Sequence, residues 1–238
     1  MKDLKSVLPP QVVLVDRAKA VTSDDVKKDP QIVAFLQRAN EQMRLLGYTE
    51  HGQRHASLVG SIAYNILTRL GYPERIAQLA EIAGYLHDAG NVIHREAHAL
   101  SGSLIAMNVL ERLGMPYDEI ALVMGAVGNH EEERGEPVGP ISAAIIIADK
   151  ADVHKSRVQN PKPETFDTHD QVNNASTRSF VRVEAEKNVI LMEIDIDTSV
   201  SQVGDFFEIY VSRLLIARRA AKFLGCEYHL LVNGARVY

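Results

Sequence analysis

The chain has 238 residues, long enough to bury a sizeable core and short enough to be one enzyme-sized unit with an appendage. Its 26 basic and 31 acidic residues give a net charge of -5, which argues against nucleic acid or an anionic membrane as partner and leaves a small molecule as the default ligand. Its single cysteine, Cys226, excludes an internal disulfide and a thiolate metal cluster, so any metal would be held by imidazole and carboxylate. No apolar run reaches the roughly 18 residues of a membrane span. The opening "MKDLKSVLPPQVVLV" has too short an apolar stretch, broken by two prolines, for a signal peptide, so the expected location is the cytoplasm.

In chain order, a first helix is expected around 30–46. Leu58, Val59, Ile62, Ala63, Ile66, Leu67 and Leu70 then mark one buried helical face, which Gly71 ends. Pro73 opens the next helix, whose stripe of Ile76, Leu79, Ala80, Ala83 and Leu86 runs up to "YLHDAGN" at 85–91. Further helices are expected over 97–113, ending at Gly114, and over 117–130 and 140–157, with no strand before 158. The stretch "QNPKPETFDTHDQVNNAS", 159–176, is polar, holds two prolines and reads as a linker. After it, "SFVRVEAEKNVILMEIDI" alternates like a hairpin, a helix spans about 201–224 before Gly225, and "EYHLLVNG" reads as another strand. The expected fold is mainly α: a helical domain over 1–158 and a small α+β subdomain, β-β-α-β, over 177–238.

The histidines and acids of the helical part recur at helix ends. His55 opens one helix, His87 and Asp88 end the next, His98 opens another, His130 ends another, and Asp149 lies within the last. Such ends converge when short loops make a bundle antiparallel. Neighbours in a regular helix point about 100° apart, so His87 and Asp88 reach one point most easily where the helix stops, just before Gly90. His51 with His55, or His94 with His98, could each form a two-histidine clip. A single histidine is more often a surface or core residue than a ligand, and only the joint order carries weight.

That order, "HASLVG" at 55, "LHDAGN" at 86 and "IADKADVHKSR" at 147, resembles the HD superfamily of metal-dependent phosphohydrolases over about residues 50–158. The resemblance implies a helical HD-type bundle in which His55, His87, Asp88 and Asp149 hold one divalent ion. It also implies that "HALSG" at 98 and "NHEE" at 129 supply His98 and His130 to a second ion, as in members that cleave cyclic dinucleotides. Asn91 stands where such members often carry lysine.

Imidazole and carboxylate suit Mn, Fe, Co, Ni or Zn, one or two ions being expected. A metal-activated water would be the nucleophile, and Asp88 would bridge the two ions. Lys150 and Arg157, seven apart on the expected last helix, could bind substrate phosphate or form a solvated stripe. Glu131 and Glu132 could supply a general acid or orient a histidine, or belong to an exposed acidic loop. Asp152 could stabilise a leaving group or pair with Lys150 or Arg157. Asp88, Lys150 and Glu131 are thus the candidate catalytic residues, and Lys150 and Arg157 the candidate phosphate ligands. The expected activity is metal-dependent hydrolysis of a phosphate ester, of a nucleotide or related small molecule. The alternatives are a di-iron oxygenase and a regulatory module with a structural metal. The tail could pack on the bundle, pair edge to edge in a homodimer, or cover the pocket.

Overall fold

The computed structural model describes residues 20–132 and 134–238; the amino-terminal stretch considered above as a signal peptide lies outside them. The helical part comprises α1 Ser23–Lys28, α2 Pro30–Leu45, α3 Gln53–Arg69, α4 Glu74–Leu86, α5 His98–Arg112, α6 Tyr117–Gly128 and α7 Pro140–Lys150. The helix starts and stops follow local chemistry. Asp29 caps α2 by accepting from the N–H groups of Gln31 and Ile32, with Pro30 at the first helical position. The left-handed φ values that end α3 and α5 fall at Gly71 and Gly114.

The last expected helix is shorter than the sequence suggests. It stops at Lys150, and Lys155–Arg157 forms a separate 3-10 turn, started by His154, whose Nδ1 accepts from Ser156 N–H. Lys150 and Arg157 therefore do not share a helical face. The break leaves Asp152 free of the helix, and its side chain turns back to α3. The stretch read as a linker also contains structure: a 3-10 turn at Pro163–Thr165 and helix α8, Thr168–Ala175, whose N-cap Asp167 accepts from Asp170 N–H.

A four-stranded sheet follows, β1 Ser176–Glu184, β2 Val189–Ile196, β3 Glu227–Val232 and β4 Ala235–Arg236, in the order β1-β2-β3-β4. β1 and β2 pair antiparallel, whereas β2 and β3 pair parallel through the crossover helix α9, Val203–Phe223. α9 packs on α7, and Tyr210 Oη donates to the Lys150 carbonyl at 3.3 Å. One hydrophobic cluster includes Ile145 of α7, Phe206 of α9 and Met192 of β2. No helix among the described residues is long and apolar enough to cross a membrane.

Two close backbone approaches position the helix ends. α3 and α4 meet at Gly60 and Gly84, where a Cβ on Gly84 would lie 2.7 Å from Gly60 Cα. The second follows the His-Asp pair, where a 3-10 turn, Ala89–Val92, lies against the start of α5. A Cβ on Gly90 would fall 2.0 Å from the His98 carbonyl oxygen and 2.5 Å from Gly102 N. Only glycine lets His98 come this close to His87 and Asp88. Gly90→Ala should therefore destabilise the protein by about 3 kcal/mol or more, because backbone must move to make room. Gly204→Ala, with nothing within 4 Å of its Cβ, should change stability by less than about 1 kcal/mol. Urea midpoints of the two variants check this, and equal midpoints would contradict it.

Candidate metal centre

The structure brings six residues from five places in the chain into one buried cluster. His55 lies in the first turn of α3, His87 caps the carboxyl end of α4, and Asp88 follows it. His98 is the first residue of α5, His130 follows α6, and Asp149 sits in the last turn of α7. His55 Nε2 is 3.2 Å from His87 Nε2, and His98 Nε2 is 3.1 Å from His130 Nε2. Asp88 stands between the two pairs. Its Oδ2 is 3.3 Å from His87 Nε2 and 3.5 Å from His55 Nε2, and its Oδ1 is 3.6 Å from His98 Nε2.

The outer nitrogen of each ring fixes what the inner one can do. His87 Nδ1 donates to the Gly84 carbonyl at 2.7 Å, His98 Nδ1 to that of Arg95 at 2.7 Å, and His130 Nδ1 to that of Val127 at 2.6 Å. A carbonyl oxygen can only accept, so each of these Nδ1 atoms carries the proton. Each Nε2 then turns a lone pair inward. His55 Nδ1 donates instead to the Asp152 carboxylate at 2.7 Å. Lone pairs facing each other at this distance repel unless a cation or a proton lies between them. Among the described residues Asp88 Oδ2 is buried with no fixed hydrogen-bond donor, its nearest polar neighbours being the inner nitrogens of His87 and His55. These groups fit a divalent ion: nitrogen and oxygen donors converge, and their outer atoms are already anchored. Ligand atoms of His55, His87 and Asp149 lie within 4.8 Å of one another, and those of His87, Asp88 and His130 form a second such group.

The charges respond accordingly. Burial disfavours an imidazolium at His87, but the Asp88 and Asp149 carboxylates outweigh it and push the group up to about 10. Burial opposes ionisation of Asp88 and Asp149 too, yet both are held well below the usual carboxylate range. His87 does this most at Asp88, and Lys150 at Asp149. Burial, then the neighbouring His87 and His98, hold His130 well below the ordinary imidazole value. In the metal-free protein, a proton on His87 thus occupies the place a cation would take.

The remaining expected residues fall into distinct positions. Lys150 is buried and reaches Asp149 Oδ2 at 2.6 Å and Glu132 Oε1 at 3.2 Å. Arg157 is also buried and donates through Nε to the Glu50 carbonyl and through Nη1 to that of Asp152. Glu131 lies 3.9 Å from His98 Nδ1, beyond hydrogen-bond reach. Asp152 pairs with Arg54 as well as His55, and so acts as an anchor behind His55. Asn91 donates to Asp88 Oδ1 at 2.8 Å, which leaves Oδ2 as the open oxygen. His94 is exposed and turned away, with Nδ1 accepting from Glu96 N–H.

One histidine belongs to this neighbourhood without belonging to the expected set. His51 lies before α3, is nine-tenths buried, and has its ring centroid 5.6 Å from that of His55. Its Nδ1 donates to the Thr49 carbonyl at 2.6 Å, so its Nε2 lone pair is directed elsewhere, as in the other rings. The spacing of His51 and His55 was a visible signal, but helical geometry was the wrong frame for it, because α3 begins at Gln53.

Asp88, His98, His130 and Asp149 of the cluster line a cavity of about 750 Å³. Tyr48, Arg95, Lys150, His169 and Arg213 also line it. The last two come from α8 and α9, so the carboxyl-terminal part of the chain lines the cavity. Both basic and acidic side chains line it, and Arg95 stacks over Tyr48 at 5.6 Å from the ring centroid.

No protein-family model matches the chain, and no curated protein matches it in sequence. A helical body with clustered histidine and aspartate is compatible with an HD-like fold, and the groups at its centre could hold a metal ion.

Because a metal must displace the His87 proton, its apparent affinity should rise with pH. The group binds its proton below about 10, so across pH 6.5–8.5 the gain should approach tenfold per unit, with about one proton released per protein. Calorimetry of Mn²⁺ binding in buffers of different ionisation enthalpy measures that release, and a pH-independent affinity with none would contradict the assignment. His98→Ala should lose about one equivalent of metal while His94→Ala keeps its full complement, as elemental analysis would show.

Proposed function

We propose that this protein is a metal-dependent phosphohydrolase acting on a nucleotide or a related small phosphate ester. The observation that carries this reading is the buried Asp88 carboxylate between two imidazole pairs whose outer nitrogens are all anchored, with Oδ2 beside His55 and His87 and Oδ1 beside His98. His55, His87, Asp88 and Asp149 would hold one divalent ion, and His98 and His130 a second shared through Asp88. Bound there, such ions supply hydroxide near neutral pH and neutralise charge on a phosphoryl group.

The chain's own groups divide the rest of the work. Lys150 donates to Asp149 Oδ2 and lies 3.2 Å from Glu132 Oε1, and its remaining N–H capacity is available to a phosphate oxygen. Asp152 holds the His55 ring in one tautomer and orientation, and the carbonyls of Gly84, Arg95 and Val127 do the same for the other rings. Glu131, on the cavity wall and a quarter exposed, is the group available to return a proton to the leaving oxygen. The Tyr48 ring, backed by Arg95, offers a planar surface on which a base can stack, which supports a nucleotide over a simple ester. Lys150, Arg157 and Arg213 on the cavity support phosphate chemistry over oxygen activation by a di-iron pair.

The test combines a substrate screen with one variant. Phosphomonoesters, phosphodiesters and nucleotides are assayed with Mn, Co, Ni and Fe added in turn. Asp88→Ala should then leave the helical content intact, lose metal, and cut kcat/KM to less than about a tenth. Hydrolysis above that level in Asp88→Ala would remove the assignment. Iron retained after aerobic purification, with a ferric absorption and no phosphatase activity, would point to the oxygenase instead.

A further inference from the structure

The proposed phosphate chemistry does not account for Arg213. This residue comes from α9, yet it lines the same cavity as the metal-ligand cluster. Its Nε lies 3.3 Å from Glu132 Oε1, the oxygen that also receives Lys150 at 3.2 Å. Ser212 Oγ donates to the other oxygen, Glu132 Oε2, at 2.8 Å. That hydroxyl occupies the position a guanidinium would need for two-pronged pairing with the carboxylate, so Arg213 is held by one arm. Its Nη1 and Nη2 make no hydrogen bond among the described residues, and the side chain is about one-fifth exposed.

Arg157 and His169 line the same cavity and lie close enough to Arg213 to feel its charge. Arg157, buried on the same cavity, is pushed down by burial and further by Arg213. His169 of α8 is likewise lowered, by burial and then by Arg213. Glu132 lies between Lys150 and Arg213, and Lys150 and Arg157 are further balanced by Asp149 and Asp152, so the group left open to an anion is the Nη1 and Nη2 end of Arg213. Three contacts in series, of 3.3, 3.2 and 2.6 Å, lead from Arg213 Nε through Glu132 and Lys150 to the Asp149 carboxylate. Arg213 is therefore near the metal-ligand cluster and distinct from it.

Resting on the phosphohydrolase reading, we infer that Arg213, with Arg157 and His169 beside it, forms a second anion subsite, and that the substrate carries two anionic groups. One group, a phosphate, is attacked at the metal-ligand cluster, and the other is gripped by the free arm of Arg213. The carboxyl-terminal subdomain then selects the substrate: a nucleoside diphosphate or a molecule with two separated phosphates fits, and a monoester with one anionic group makes only half the contacts.

Two uncleavable probes test this on the full-length, Mn-loaded protein at fixed free Mn²⁺: methylphosphonate, with one anionic group, and 1,3-propanediphosphonate, with two. Calorimetry should show the diphosphonate binding at least about tenfold more tightly in the parent, as a charge-assisted contact to a guanidinium supplies. Arg213→Gln should abolish that excess while leaving metal content and methylphosphonate affinity unchanged. Arg218→Gln, on the same helix with its guanidinium on Tyr238, should keep the excess. Equal affinity of the two probes in the parent, or an excess that survives in Arg213→Gln, overturns the subsite and leaves the phosphohydrolase reading standing. Failure of methylphosphonate itself to bind the Mn-loaded parent removes both.

Discussion

Everything at the centre of this molecule depends on how four imidazole rings are held from behind. Three Nδ1 atoms donate to carbonyls one helical turn back along the chain, and the fourth donates to Asp152. Once those outer bonds are set, the inner nitrogens have no freedom: they face one another and the Asp88 carboxylate across about 3 Å in a buried space. An apolar core of the same volume would be more stable without them, since buried charge and unpaired acceptors cost several kcal/mol. Retaining such a cluster in the interior is the mark of a site that an added cation would relieve.

The fold serves that cluster through helix ends. Two helices stop at it, at His87 and His130, and another starts at it, at His98. A helix end frees backbone carbonyls, and these are the acceptors that orient the rings. Close packing of α3 on α4 at Gly60 and Gly84, and of Gly90 on α5, brings the ends within a few ångströms of each other. The helix α9 then closes one wall, which joins the small sheet to the cavity and not only to the core.

Much of this was legible in the sequence, and the failures have a common cause. Helix positions follow apolar periodicity and glycine stops, so Gly71, Gly114 and Gly225 marked real ends. The cluster of His55, His87, Asp88, His98, His130 and Asp149 could be read because all but Asp149 were expected next to helix termini, where chain reversals bring side chains together. Asp152 and Arg157 were harder: periodicity carried α7 past Lys150, and nothing local shows that the chain breaks there to place Asp152 behind His55. Arg213 and His169 were invisible for a different reason. Their place in the cavity depends on α8 and α9 folding back on the bundle, and a polar stretch with two prolines gives no sign of where the chain goes next.

The account stands on cations occupying the space around Asp88, and anomalous diffraction from crystals grown with Mn²⁺ measures that directly. The expected map has two peaks flanking the Asp88 carboxylate, one beside His55, His87 and Asp149 and one beside His98 and His130. A well-ordered protein with no anomalous peak at this cluster, or with Mn²⁺ bound only at another place, would contradict it.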